Sequence, residues 1–87
     1  MAEAAPLWPG GPKFIPDPDF PLGTDALLLA DFAAGVRARR ALDLGCGAGP
    51  ILLLLLEGRP ELTACGLEVR PEAAALARTN LALNGLD

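Results

Sequence analysis

The sequence predicts an α/β domain built on a parallel sheet, of which residues 24–87 supply the first two strands and their flanking helices. Three observations predict it. Short apolar stretches alternate with helical patterns, an order that implies βαβ units and a right-handed crossover. A cluster of three glycines joins the first stretch to a helix opening on proline. The 87 residues are 52% hydrophobic, with a mean hydropathy of +0.37, a balance found in packed globular chains.

Residues 1–23 form a proline-rich arm. Six of the nine prolines lie there, from Pro6 to Pro21, where fixed φ angles and missing donors exclude a helix or a central strand. Leu7, Trp8, Phe14, Ile15 and Phe20 are too many apolar side chains for a bare linker, so the arm is expected to lie against the domain, with Trp8 as an anchor.

A helix is predicted over 25–38. Thr24 suits its N-cap, Asp25 its positive first turn, and Leu28, Phe32 and Val36 recur on one face. Arg37, Arg39 and Arg40 then complement the negative helix end, in preference to an RNA-binding patch. Ala41–Leu44 follows as a buried strand. Pro50 fits the first turn of the next helix, whose run Ile51–Leu56 is apolar on every face, where a surface helix has one stripe. A second strand spans 62–69. Pro71 opens a third helix, read as amphipathic through Ala75, Leu76, Thr79 and Leu83 and running toward Asn84-Gly85.

A parallel sheet needs neighbours on both edges and cover on both faces. The stretch is therefore read as the N-terminal part of a larger domain, and residues 1–87 alone are expected to be inactive and to self-associate through exposed apolar surface.

Composition excludes several functions. Seven basic residues against 11 acidic give a net charge of −4, so bulk charge offers no footprint for a polyanion. Two cysteines and no histidine leave too few ligands for a metal site and suggest a reduced, cytoplasmic chain, with Cys46 and Cys65 as small apolar fillers. The longest apolar run falls short of a membrane span, and the N-terminus lacks the pattern of a secretory signal.

The most informative segment is Leu42-Asp43-Leu44-Gly45-Cys46-Gly47-Ala48-Gly49. Glycines between a strand and a helix let backbone approach a ligand at the carboxyl edge of the sheet. A dinucleotide fingerprint would place its third glycine at position 50, which is Pro50. Asp43, two residues before the first glycine, favours a cofactor carrying positive charge over one carrying a pyrophosphate.

Asp43, Gly45, Gly47 and Gly49 match the acid-x-Gly-x-Gly-x-Gly motif, and the sequence here resembles the class I S-adenosylmethionine-dependent methyltransferases. The resemblance implies a Rossmann-like parallel sheet and S-adenosyl-L-methionine as cofactor. It gives Glu68, at the end of the second strand, the role of holding the ribose hydroxyls, chemistry suited to a carboxylate facing a vicinal diol. It sets Val69 against the adenine ring and adds Cys46 to the cofactor-binding loop. Phe20-Pro21-Leu22-Gly23-Thr24-Asp25, with Ala77-Arg78-Thr79-Asn80 and Asn84-Gly85-Leu86, looks like the bacterial valine-tRNA adenine-N6 methyltransferase group and its small-domain relatives. That likeness, over residues 14–87, implies a tRNA substrate and places Thr24 and Asp25 near the methionine end of the cofactor. The family's Asn-Pro-Pro-aromatic motif does not occur in this sequence, so no catalytic residue is assigned.

Plainer readings stand beside these. The glycines could serve the turn alone, Asp43 could cap a turn, Glu68 could be a polar strand end, and Thr24 with Asp25 could simply cap a helix. A protein glutamine or small-molecule methyltransferase shares the motif, and a noncatalytic nucleotide-binding module shares the glycine loop.

Overall fold

The computed structural model describes residues 3–86; Met1 and Ala2 of the arm and Asp87, the last residue of the 24–87 domain, lie outside them. The arm is a small hairpin. Its strands β1 (Ala5–Pro6) and β2 (Lys13–Phe14) pair antiparallel, and the turn is closed by Leu7 N–H to the Pro12 carbonyl and Gly11 N–H to the Trp8 carbonyl, at 2.9 and 2.8 Å. Phe14 is buried with Ala48 and Leu53, and Leu7 and Leu22 pack on this cluster. Trp8 lies over Gly11, where an added Cβ would stand 2.5 Å from the indole.

The main body comprises α1 (Thr24–Ala34), β3 (Arg40–Leu44), α2 (Pro50–Leu56), β4 (Thr63–Leu67) and α3 (Pro71–Leu83). Strands β3 and β4 run parallel in the register Arg40 to Thr63 through Leu44 to Leu67, with α2 as the crossover between them. On one face of the pair, Ala41, Asp43, Ala64 and Gly66 are half-buried. On the other, Leu42, Leu44, Cys65 and Leu67 are exposed. The expectation of a strand covered on both faces is therefore corrected among the described residues, as is that of Cys65 as a buried filler: alternation along β4 turns Cys65 outward.

Helix α1 departs from the reading in four ways. Gly23, in extended conformation, is its N-cap and Thr24 its first helical residue. It ends at Ala34 and not at residue 38, because Gly35 follows and the chain tightens into bonds from Gly35 N–H to Phe32 O and Val36 N–H to Ala33 O. No basic residue lies in its last turn, so Arg37, Arg39 and Arg40 do not complement the helix end. The buried face is also different. Leu28, Phe32 and Val36 are 65%, 76% and 53% exposed, whereas Ala30 is buried and Ala26 and Ala33 are half-buried. Small side chains let α1 approach its neighbour α2 closely, which the larger leucine face would prevent.

Helix α2 meets the expectation of its apolar run: Leu52, Leu53 and Leu55 are buried. It seats on β4 because Gly66 has no side chain; a Cβ there would lie 2.6 Å from Leu52 Cδ1 and 2.7 Å from Cys46 Sγ. In α3 the helical period is as predicted but its phase is rotated. Ala73, Ala77 and Asn80 face inward, while Ala75, Thr79 and Leu83 are exposed. A buried stripe of alanines around a polar residue carries little hydrophobic contrast, so the larger leucine misdirects the pattern.

Candidate functional site

The loop from Gly45 to Gly49 leaves the carboxyl end of β3 and enters α2. All three glycines have positive φ, +70°, +56° and +85°, a region that residues with a Cβ rarely adopt. Their surroundings divide them. A Cβ at Gly45 or Gly47 would meet open space, whereas one at Gly49 would stand 3.1 Å from Ala77 Cβ. Gly49 thus admits α3 against the loop, and Gly45 and Gly47 present bare backbone outward. Gly45 and Cys46 both donate to the Leu67 carbonyl, at 2.7 and 3.1 Å, which ties the loop to the end of β4.

Just past that end, Glu68 reaches back to the loop. Its Oε1 accepts from Gly47 N–H at 2.9 Å, and its Oε2 accepts from Arg70 N–H at 3.0 Å and Arg70 Nε at 3.3 Å. The Arg70 amide, then the Gly47 amide, then the guanidinium hold the Glu68 carboxyl below its ordinary pKa. A carboxylate offers about four acceptor positions. As arranged, Oε1 has one acceptor position without a donor and Oε2 is already shared between two; Glu68 borders a separate cavity from that of Asp43.

Asp43 is in the opposite condition. Its Oδ2 is buried with no hydrogen-bond partner among the described residues, and burial raises its pKa. It borders a cavity of about 270 Å³, small for a ligand site, which is lined also by Gly45, Gly47, Asp25 and the arm residues Phe14 and Phe20. Cys46 lines it too, and burial first, then the Asp43 and Glu68 charges, push its thiol pKa up, away from the thiolate form. Thr24 is exposed and is not among the lining residues. Asp25 lines the cavity with its carboxylate folded toward Gly23, where a Cβ would lie 2.5 Å from Oδ1. Val69 is 95% exposed and does not border this cavity.

Sequence reasoning missed three residues that hold this arrangement. Asp17, buried in the arm, accepts from Arg70 Nη2 at 3.0 Å and from the Asp19 amide at 2.9 Å, an Asx turn around Pro18. The Asp19 amide, and then Arg70 against the penalty of burial, lower its pKa. Arg70 also lies over the Phe20 ring, 4.4 Å from its centroid, a cation–π geometry. Asn80 is fully buried; its side chain accepts from Ile15 N–H at 2.7 Å and donates to the Ile15 and Ala48 carbonyls at 3.0 and 2.9 Å. An asparagine inside a helix, where its propensity is poor, was the available signal for the last.

Residues 20–87 match the methyltransferase small domain family. The chain belongs to that family. It is 42% identical over 62 residues, 70% of this chain and 25% of the relative, to the tRNA1(Val) (adenine(37)-N6)-methyltransferase of Yersinia enterocolitica. It is 39% identical over 64 residues to proteins of the same name in Yersinia pestis and Yersinia pseudotuberculosis, covering 72% of this chain and 26% of each relative. The chain thus spans about a quarter of the length of the curated relatives it matches. Membership places the glycine loop within the methyltransferase group that its acid-x-Gly-x-Gly-x-Gly pattern resembles. Among the described residues no group of side chains suits a metal ion, and no helix is long and apolar enough to cross a membrane.

Proposed function

We propose that this chain supplies the cofactor-binding part of an S-adenosylmethionine-dependent methyltransferase that modifies adenine N6 in tRNA, in the cytoplasm. The single observation that carries the cofactor reading is the half-buried Asp43 carboxylate, whose Oδ2 is buried with no hydrogen-bond partner among the described residues, beside a loop of bare backbone. A buried carboxylate oxygen without a donor costs free energy until a donor or a cation arrives. The residues present fit S-adenosylmethionine, whose amino and sulfonium groups are positive. The tRNA reading rests on the activity named for the relatives; residues 1–23 are read as an arm, and residues 24–87, with the β3–β4 pair, as the N-terminal part of a larger parallel-sheet domain.

In this reading Asp43 accepts hydrogen bonds from a cationic group in the cavity. Gly45 and Gly47 let the loop backbone meet the cofactor with no side chain between. Glu68 accepts a ribose hydroxyl at the free position of Oε1, and the second hydroxyl competes with the long Arg70 Nε contact. Val69 would flank the base and Asp25 would border the methionine end, with Thr24 opening the helix beside it. The cofactor supplies a methyl group already activated by its sulfonium leaving group. This chain contributes alignment and exclusion of water, through the loop and the walls formed by Phe14 and Phe20.

The test is methyl transfer by the protein at its natural length to valine tRNA, followed by nucleoside mass spectrometry. The proposal expects N6-methyladenosine that depends on Asp43. A protein that binds S-adenosylhomocysteine but methylates a protein glutamine or a small molecule instead would overturn the tRNA reading and keep the cofactor reading.

A further inference from the structure

We propose that Asp17 of the arm is a positioning residue for the cofactor site, acting through Arg70 to fix the Glu68 carboxylate against the glycine loop. This deepens the reading of Glu68 as the ribose acid and rests on it. Arg70 is the N-cap residue of α3, so its backbone is set by the helix, but its long side chain is free to choose partners. Two carboxylates claim it. Asp17 Oδ2 binds Nη2 at 3.0 Å and Glu68 Oε2 binds Nε at 3.3 Å, while the Phe20 ring supports the guanidinium from the arm side. The Asp17 and Glu68 side chains are only 7% and 8% exposed, so neither partner is a loose surface ion pair.

The planar guanidinium presents donors in a fixed fork. With Asp17 holding one prong, the other arrives at Glu68 Oε2 from one direction, and the carboxylate is pinned between Arg70 and Gly47 N–H. Oε1 then keeps its one open acceptor position for a hydroxyl. Because the Nε contact is the longer of the two, a diol can displace it while Arg70 stays with Asp17. Without Asp17 the guanidinium is no longer held in one orientation, and the Glu68 carboxylate loses the pinning that keeps Oε1 turned to the diol. Docking of the arm thereby sets how well the ribose is read, across 53 residues of sequence.

Calorimetric titration of the protein at its natural length with S-adenosylhomocysteine and with its 2′-deoxy analogue tests this in four forms: wild type, Asp17→Asn, Arg70→Met and the double variant. The ratio of the two affinities is the readout. It cancels any change in the folded fraction, because both ligands meet the same protein population. Wild type is expected to prefer the ribose form about tenfold or more, and each single variant to bring the ratio within about threefold of one. The double variant should match the singles, since both act on one path. A wild type that discriminates alongside an Asp17→Asn protein with an unchanged ratio overturns the positioning role alone. A wild type indifferent to the missing hydroxyl overturns the ribose reading itself, and this role with it.

Discussion

Asn80 donates a hydrogen bond of 2.9 Å to the Ala48 carbonyl in the middle of the glycine loop, from a side chain that has no contact with water. The same amide holds both backbone groups of Ile15, so one residue of α3 joins the arm to the glycine loop. Asn84, one turn later, repeats the pattern on Lys13, accepting its N–H at 2.9 Å and donating to its carbonyl at 2.7 Å. The arm is thus bound to α3 as if to a neighbouring strand, with two asparagine amides standing in for peptide groups.

Asn80→Ala should therefore release the arm before it unfolds the domain. It leaves the Ile15 N–H and carbonyl and the Ala48 carbonyl without this partner, at about 1–3 kcal/mol for each group that stays buried. Hydrogen exchange at the Ile15 amide is expected to accelerate more than exchange within α2. Unchanged protection of Ile15 would contradict the clamp.

Gly66→Ala tests the seating of α2. The new methyl must displace Leu52 and Cys46, and overpacking of this kind costs about 1–3 kcal/mol. Denaturant unfolding should show the loss as a lower midpoint at unchanged slope.

Gly47→Val should abolish cofactor binding while leaving most of the core intact. Space is available for the side chain, but the +56° φ is prohibitive for a β-branched residue. Relaxing it turns the amide away from Glu68. Calorimetry is expected to find no binding of S-adenosylhomocysteine up to about a hundredfold above the wild-type Kd.

The Asp17–Arg70–Glu68 chain should make stability depend on pH in acid. Both carboxyls have pKa values below the ordinary ones, so in this range the unfolded state binds more protons than the folded one. Their contribution is complete above the ordinary carboxylate range, about pH 4, and is lost as pH falls through the lowered folded values. The Tm difference between wild type and Asp17→Asn should accordingly shrink from pH 7 to pH 3. A constant difference would show that Asp17 carries no charge-dependent load.

Much of the site could be read from residues close in sequence. The order of elements, the loop from Asp43 to Gly49 and Glu68 at the strand end follow from local patterns, because backbone conformation at a strand–turn–helix junction is a local matter. What was not legible depends on long-range packing. Asp17 and Arg70 are 53 residues apart, and nothing in a proline-rich segment marks one aspartate as buried. The inward face of α1 is carried by Ala26, Ala30 and Ala33, whose selection over Leu28 and Phe32 is set by the close approach of α2 and not by hydrophobicity. Glu68 shows both sides: its position was evident, but its ties to Gly47 and Arg70 required the fold.

The central claim is that Asp43 lies unpaired in its cavity to meet a cationic cofactor. Calorimetric titration of S-adenosylmethionine into wild type and Asp43→Asn, both at natural length and across pH, tests it most directly. The account predicts one site per chain in wild type, with affinity falling as acidification passes through the raised Asp43 pKa, because the protonated carboxyl no longer attracts a cation. Asp43→Asn should bind more weakly, and its affinity should lack that pH dependence. Equal affinity in the two proteins at neutral pH would contradict it.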